Sequence, residues 1–179
     1  MAEPVSSTSP DDLYEQAAAI YDAALDRLAR AYEADADKRR DLLQEIHLAM
    51  WRSFALYAQH CSLRTWVYQV AHNTAVSHIM RERRTYRGLV TLEEIDNLPA
   101  AAEDELGGID RRSALERLFR LIHRLKPVDR QVILSYLEGM DAASISQITG
   151  ISPGNVAMNV HRIKDLLARR FHEGGHYGK

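Results

Sequence analysis

The stretch AASISQITGISPGNVAMNVHRIKDLLARR, residues 142–170, decides the fold. It predicts a short helix from Ala142 to Thr149, the turn Gly150-Ile151-Ser152-Pro153, and a long helix from Gly154 to Phe171. Gly150 suits a left-handed turn position, Ser152 offers a capping hydroxyl, and Pro153 presets the first helical angle. At 100° per residue Val156, Val160, Ile163 and Leu167 share one arc, which faces a core. Gly154, Met158, His161, Arg162 and Arg169 fall opposite, with Asn155 at the edge. A short helix, a tight turn and a longer helix are the parts of a helix-turn-helix. Its lightly built leading end, with Asn155 and Met158, fits a major groove, while Arg162, Lys164, Arg169 and Arg170 reach phosphates. The alternative on this segment alone is an ordinary helical hairpin.

Upstream, the same helical period recurs and no alternating strand pattern interrupts it. Ser9 caps and Pro10 opens a first helix carrying Leu13, Ala17, Ile20, Tyr21, Ala24, Leu25, Leu28 and Tyr32 on one stripe. A second helix is expected from about Asp37 to Tyr57, burying Leu42, Leu43, Ile46, Met50 and Phe54. A third follows Ser62 and turns Leu63, Val67, Val70, Ala71, Thr74 and His78 inward. Periodicity fails from Tyr86 to Arg112, where Pro99, Gly107 and Gly108 sit among seven carboxylates. It returns at Leu115, Leu118, Phe119, Ile122 and Leu125, then runs through Val132, Ile133, Tyr136 and Leu137 until Gly139.

The expectation is therefore an all-α chain of two small helical domains joined by an acidic linker. Its parts are a disordered N-terminus at 1–10, a helical domain at 11–86, the linker at 87–112, a helix-turn-helix domain at 113–171 and a flexible tail at 172–179. The length of 179 residues allows no more than two such modules. A composition of 46% hydrophobic and 27% charged residues excludes collagen-like and wholly disordered chains.

Charge is segregated along the chain although the total is only −2. Residues 1–36 carry −6, residues 37–86 carry +4, residues 87–112 carry −4 and residues 113–172 carry +4. Two basic blocks, each coinciding with a motif, point to a polyanion. One cysteine, Cys61, permits neither an internal disulfide nor a multi-cysteine zinc site, so a reducing cytoplasm is the expected location. No apolar run is long enough for membrane insertion. His47, His60, His72, His78, His123, His161, His172 and His176 are scattered, and no metal or other cofactor is expected. His78 reads as a satisfied buried imidazole, Trp51 and Trp66 as packing residues, and Cys61 as a half-buried thiol.

Two blocks carry a family resemblance. The first is Asp41-Leu42-Leu43-Gln44-Glu45-Ile46, then Trp51-Arg52, then Thr65-Trp66-Val67-Tyr68-Gln69-Val70-Ala71-His72-Asn73 and an arginine-rich helix end. The second is Ile122, Leu125 and Pro127, a central helix, and Gly150-Ile151-Ser152 with Gly154 and Val156. In this order and spacing the chain resembles a bacterial RNA polymerase sigma factor of the sigma-70 family, extracytoplasmic-function group. The likeness spans about residues 12–86 and 113–171.

The resemblance implies a subunit without chemistry of its own, with core RNA polymerase and promoter DNA as partners and an inhibitory anti-sigma factor as a further one. Asp41, Leu42, Gln44 and Glu45 match the surface that docks on the polymerase. Tyr57, Gln59 and His60 fall in the loop that captures a flipped base of the minus-10 element, with Arg64, His72, Asn73, Arg81, Arg83 and Arg84 beside the single strand. Ser152, Gly154, Asn155, Met158, His161, Arg162, Lys164 and Arg169 match the reader of the minus-35 duplex. The linker, by the same likeness, threads the polymerase's nucleic-acid channels.

This chain departs from the family in its loop, Tyr57-Ala58-Gln59 where many relatives have Phe-Arg-Gly, so a promoter preference does not transfer. Ser144-Ile145-Ser146 stands for the usual Glu-Ile-Ala, Thr149 for a usual Leu, and Lys38, Arg39 and Arg40 precede the docking block. The competing function is a helix-turn-helix regulator acting without the polymerase. An enzyme is disfavoured, because no nucleophile–base pair, phosphate loop or carboxylate dyad stands in a recognisable motif.

Overall fold

Ser9 starts the first helix as its sequence context requires. Its hydroxyl accepts the Asp12 N–H at 3.1 Å while the Asp12 carboxylate accepts the Ser9 N–H at 3.0 Å. The Ser9 hydroxyl and then its backbone N–H, both beside the Asp12 carboxylate, hold that carboxyl below its ordinary pKa. The computed structural model describes residues 9–82 and 111–173. Residues 87–110 of the expected linker and most of the tail thus lie outside the described residues, as do Arg83 and Arg84, whereas Arg111 and Arg112, expected to end the linker, already belong to a helix. The chain divides into two units at Met80 and Arg81. Every regular element among the described residues is helical.

In the first unit, α1 (Pro10–Tyr32) already includes the end of the segment expected to be disordered. It stops where Glu33 turns extended, and Asp35 caps α2 (Ala36–Ser53) by accepting the N–H groups of Asp37 and Lys38. α2 ends four residues before Tyr57, and a single 3-10 turn, Phe54–Leu56, follows. After the loop 57–62, α3 (Leu63–Glu82) completes the unit. α1 and α2 pack antiparallel, with Trp51 Nε1 donating to Asp11 at 2.8 Å and Tyr14 hydroxyl lying 3.2 Å from His47 Nδ1. Leu25, Leu28, Tyr32, Leu42, Ile46, Met50, Val67, Tyr68, Ala71 and Ile79 are all buried in this unit.

Two sequence expectations fail here. Ile20 is exposed although its spacing places it on the core stripe of α1. α3 is rotated by roughly a quarter turn from the expected phase, since it buries Val67, Tyr68, Ala71, His72, Ala75, His78 and Ile79 while leaving Val70 and Thr74 half-buried. His78 is buried between two carboxylates, Nε2 at 3.5 Å from Glu33 and Nδ1 at 3.9 Å from Glu45. Nε2 has no hydrogen-bond partner among the described residues, so the imidazole is less fully satisfied than expected.

In the second unit, α4 (Arg111–Arg124), α5 (Pro127–Leu137), α6 (Ala142–Thr149) and α7 (Pro153–Glu173) enclose Ile122, Leu125, Val132, Ile133, Met140, Ile145, Ile148, Val156, Val160 and Ile163. Tyr136 and Leu137 are exposed instead of joining this core, and Leu166 is buried deeper than Leu167. Gly139, at φ +77°, closes α5 with Met140 N–H bonded to Ser135 oxygen. Asp141 caps α6 through the Ser144 N–H at 2.7 Å, which lowers its carboxyl pKa.

Gly150 closes α6 at φ +76°, its N–H bonded to Ser146 oxygen at 2.8 Å. A Cβ there would meet nothing within 4 Å, so only backbone strain opposes a side chain. Gly150→Ala is expected to cost about 1 kcal/mol, measured as a lower midpoint in denaturant with an unchanged fold.

Candidate nucleic-acid interface

In the first unit, the loop 57–62 and the exposed face of α3 hold the residues expected to contact single-stranded DNA. Tyr57 is half-buried; its hydroxyl donates to Cys61 oxygen at 2.8 Å and its ring lies 5.3 Å from the Trp66 ring. Trp66 is itself fixed by Nε1 donating to Ser53 Oγ at 3.0 Å. Burial pushes the Tyr57 hydroxyl and the Cys61 thiol above their ordinary pKa values. Tyr57 therefore braces the loop, with its hydroxyl already engaged. Ala58, Gln59 and His60 form the exposed tip, and Gln59 takes φ +57°. A left-handed residue other than glycine stores strain, and such strain concentrates where a side chain must be aimed.

On α3, Asn73, Ser77 and Arg81 recur at four-residue spacing and are exposed. Arg64, at the start of the helix, is half-buried with its guanidinium 5.9 Å from the Tyr68 ring centroid. His72 does not join them. Its side chain is wholly buried, with Nδ1 3.0 Å from the Tyr32 hydroxyl, and burial pushes its pKa down to about 3. A neutral, enclosed imidazole has no route to a nucleic-acid strand, so the expectation for His72 is corrected to a core role.

On α2, Asp41 and Gln44 are exposed and Glu45 is half-buried beside His78. Leu42 is 0% exposed and belongs to the core, which corrects its assignment to the docking surface. Leu48 and Trp51 extend the exposed face of α2, and both are roughly half exposed. Sequence reasoning passed over Leu48 and placed Trp51 in the packing, although four- and seven-residue steps from Gln44 bring both onto that face.

In the second unit the candidate residues lie on α7 and at its N-terminal cap. Ser152, Gly154, Asn155, Met158, His161, Arg162, Lys164 and Arg169 are all exposed. Ser152 Oγ accepts the Asn155 N–H at a long 3.4 Å. Lys164 is steadied against α5, with Nζ 3.2 Å from the Tyr136 hydroxyl and 5.2 Å from its ring centroid. Arg117 of α4 donates to Arg170 oxygen at 2.7 Å and lies over the Phe171 ring, fixing the far end of α7. Asp165, absent from the sequence-derived set, sits 3.0 Å from His161 Nδ1 on the exposed side. Among the described residues no group of three or more His, Cys, Asp or Glu side chains is set to hold a metal, and no helix is long and apolar enough to cross a membrane.

The family model of Sigma-70 region 2 matches residues 20–85, and that of Sigma-70 region 4 matches residues 115–167. The chain is 25% identical over 139 residues to the ECF RNA polymerase sigma-E factor of Haemophilus influenzae, covering 73% of this chain and 72% of that one. It is 20% identical over 172 residues to the ECF sigma factor SigW of Bacillus subtilis, covering 90% and 87%. It is 26% identical over 158 residues to the sigma factor YlaC of the same organism, covering 87% and 88%. Among solved structures, the sigma factor RpoE of Bartonella quintana, in complex with the anti-sigma factor NepR, matches with a TM-score of 0.64 at 18% identity, covering 89% of this chain and 96% of that one. CnrH in complex with the cytosolic domain of CnrY matches at 0.58 and 17%, covering 87% and 85%. With region 2 in its first helical unit and region 4 in its second, the chain belongs to the sigma-70 family of RNA polymerase sigma factors, in the extracytoplasmic-function group.

Proposed function

We propose that this chain is the promoter-specificity subunit of a bacterial RNA polymerase, docking through α2 and reading two separated elements of one promoter. The observation that carries the reading is the presence of both regions on one chain. Region 4 alone fits many helix-turn-helix regulators, whereas the α2 and α3 blocks fit a sigma factor.

Each part has a distinct physical task. Asp41, Gln44 and Glu45 supply a polar docking face, with Leu42 anchoring it from below. The tip at Gln59 and His60 offers edge hydrogen bonds to an extruded base, while Asn73, Arg64 and Arg81 track the strand beside it. Arg83 and Arg84 continue the basic run. The exposed face of α7 reads duplex DNA from the major groove, and residues 87–112 tether the two DNA-binding bodies. The polymerisation chemistry belongs to the polymerase, which places the chain's work in the cytoplasm. By similarity to the RpoE complex with NepR, an anti-sigma factor is a further partner.

Addition of the purified chain to core polymerase is expected to yield transcripts from defined start sites on a promoter library; a chain that directs no start site overturns the reading. The division of labour makes a sharper expectation. Asn73→Ala combined with Arg81→Ala should reduce promoter opening, read by permanganate reactivity, by about tenfold or more. Affinity for core polymerase should stay within about twofold. Loss of polymerase affinity with opening otherwise intact would reverse the assignment of the two faces.

A further inference from the structure

We infer that the Tyr57 hydroxyl is a positioning group and that Gln59 is the residue that discriminates an extruded base. By donating to the Cys61 carbonyl, the hydroxyl closes the loop over residues 58–60 and keeps Gln59 left-handed, so that its amide is presented at the tip. The inference deepens the reading of this loop as the base-capturing part and rests on it.

Three observations carry it. First, the Tyr57 hydroxyl donates to the Cys61 oxygen at 2.8 Å. Burial raises the pKa of that hydroxyl, which keeps the proton the carbonyl needs. Both ends of the loop are also anchored: the Tyr57 N–H bonds to Phe54 oxygen at 3.2 Å, and Ser62 Oγ accepts the Thr65 N–H at 3.1 Å as α3 begins. Second, the Tyr57 ring is held independently of its hydroxyl, 6.2 Å from the Phe54 ring and 5.3 Å from the Trp66 ring. Phenylalanine would retain that packing and lose only the bond. Third, Gln59 is the sole residue other than glycine with a positive φ among the described residues, at +57°, and it is exposed. Such a conformation persists only where the surrounding structure over-determines it.

Both residues stand where this chain departs from the Phe-Arg-Gly of many relatives. Glycine takes left-handed angles without steric cost but has nothing to offer a base. Glutamine bears the strain and adds an amide, which sets an acceptor beside two N–H donors. Such a group makes two bonds at once to a base edge that carries a donor next to an acceptor. Extrusion from the stack uncovers that edge.

The test uses the full chain assembled with core polymerase, on forked promoter templates whose unpaired minus-10 strand carries each of the four bases at each position. The parent is expected to favour one base at one position by about fivefold or more. Gln59→Gly, which relieves the backbone strain and so folds, should reduce that ratio to less than about twofold. Tyr57→Phe should reduce the same ratio by about threefold or more, whereas a merely supporting hydroxyl would weaken binding of all four bases alike. In a Gln59→Gly background Tyr57→Phe should change base preference no further, the signature of a coupled pair. Gln59→Glu, with two acceptor oxygens, should raise the use of guanine, whose N1–H and amino group stand side by side. A preference that survives Gln59→Gly, a Tyr57→Phe chain with the parent's ratio, a Tyr57→Phe effect on preference that persists without Gln59, or a Gln59→Glu chain with no gain at guanine overturns the inference alone. A parent holoenzyme indifferent to the unpaired base at every position overturns it together with the base-capturing role of the loop.

Discussion

Arg130→Ala is expected to destabilise the second helical unit by about 3–5 kcal/mol, a fall in Tm on the order of 15 °C or more for a unit of this size. Arg130 is only 1% exposed. Its Nη2 donates to the His123 carbonyl and, at 3.1 Å, to the Leu125 carbonyl. Those oxygens stand at the C-terminal end of α4 and in the turn after it, where helix geometry provides no partner of its own. Alanine strands the buried Leu125 carbonyl and the half-buried His123 carbonyl, and leaves a cavity the size of the arginine side chain. Arg130→Met fills the space without restoring the hydrogen bonds and should recover only part of the loss. Arg130→Lys retains the charge on a more strongly hydrated group that lacks the planar fork, and should do no better. Thermal melting of the full chain, with hydrogen exchange at α4 and α5 to locate the change, checks the order. An Arg130→Met chain as stable as the parent would show that volume alone holds the corner.

Arg130 also shows where reading the sequence loses contact with the fold. It counts toward the positive charge of the second block, yet it is buried, with Nη2 held by two main-chain oxygens. Periodicity has no means of finding this, because the partners are carbonyls brought close by the Lys126–Pro127 turn. What local rules do govern was legible: the Ser9 cap, Pro10, Pro127, Gly139, Gly150 and the bounds of α6 all follow from caps and turns a few residues long. Ile20 and Leu137 were misplaced for the opposite reason, since an apolar residue at the right spacing still needs a neighbour to bury it.

The interface follows the same division. The exposed residues of α7 were legible because that helix is strongly one-sided and its turn fixes the phase. On α3 the polar residues Thr65 and His72 are inside, so a count of apolar positions turns the helix the wrong way. The core accepts His72 because Tyr32, forty residues earlier, supplies a partner for Nδ1. Tyr57 lies in the loop that the resemblance assigns to base capture, but Cys61 and Trp66 hold it as a strut. The pairing of Asp165 with His161 spans one helical turn and was accessible from spacing alone.

His72 itself makes the first unit acid-sensitive in a defined window. Burial holds its folded-state pKa at about 3, against 6.5 for the free side chain. Below the ordinary histidine range the unfolded chain takes up a proton that the folded unit refuses. The stability associated with the neutral ring is therefore fully present above about pH 6.5 and is lost as pH falls toward 3, by about 1 kcal/mol per pH unit. The loss at pH 4 is on the order of 3 kcal/mol, a large share of the stability of so small a unit. The capping carboxyls of Asp12 and Asp35 are lowered from 3.8, so their contributions persist above that value and fade only below it, under the pH 6.5 to 4 range in which His72 is compared. His72→Gln provides the control: its amide accepts from the Tyr32 hydroxyl but does not titrate. It should be less stable than the parent at pH 7.5, through poorer packing, and should decline less steeply between pH 6.5 and 4. Denaturant midpoints of the full chain, followed by hydrogen exchange in α1 and α3, give both slopes. Parallel slopes in the two proteins would mean that the acid sensitivity comes from groups other than His72, whereas converging curves place it in the pocket formed with Tyr32 and Tyr68.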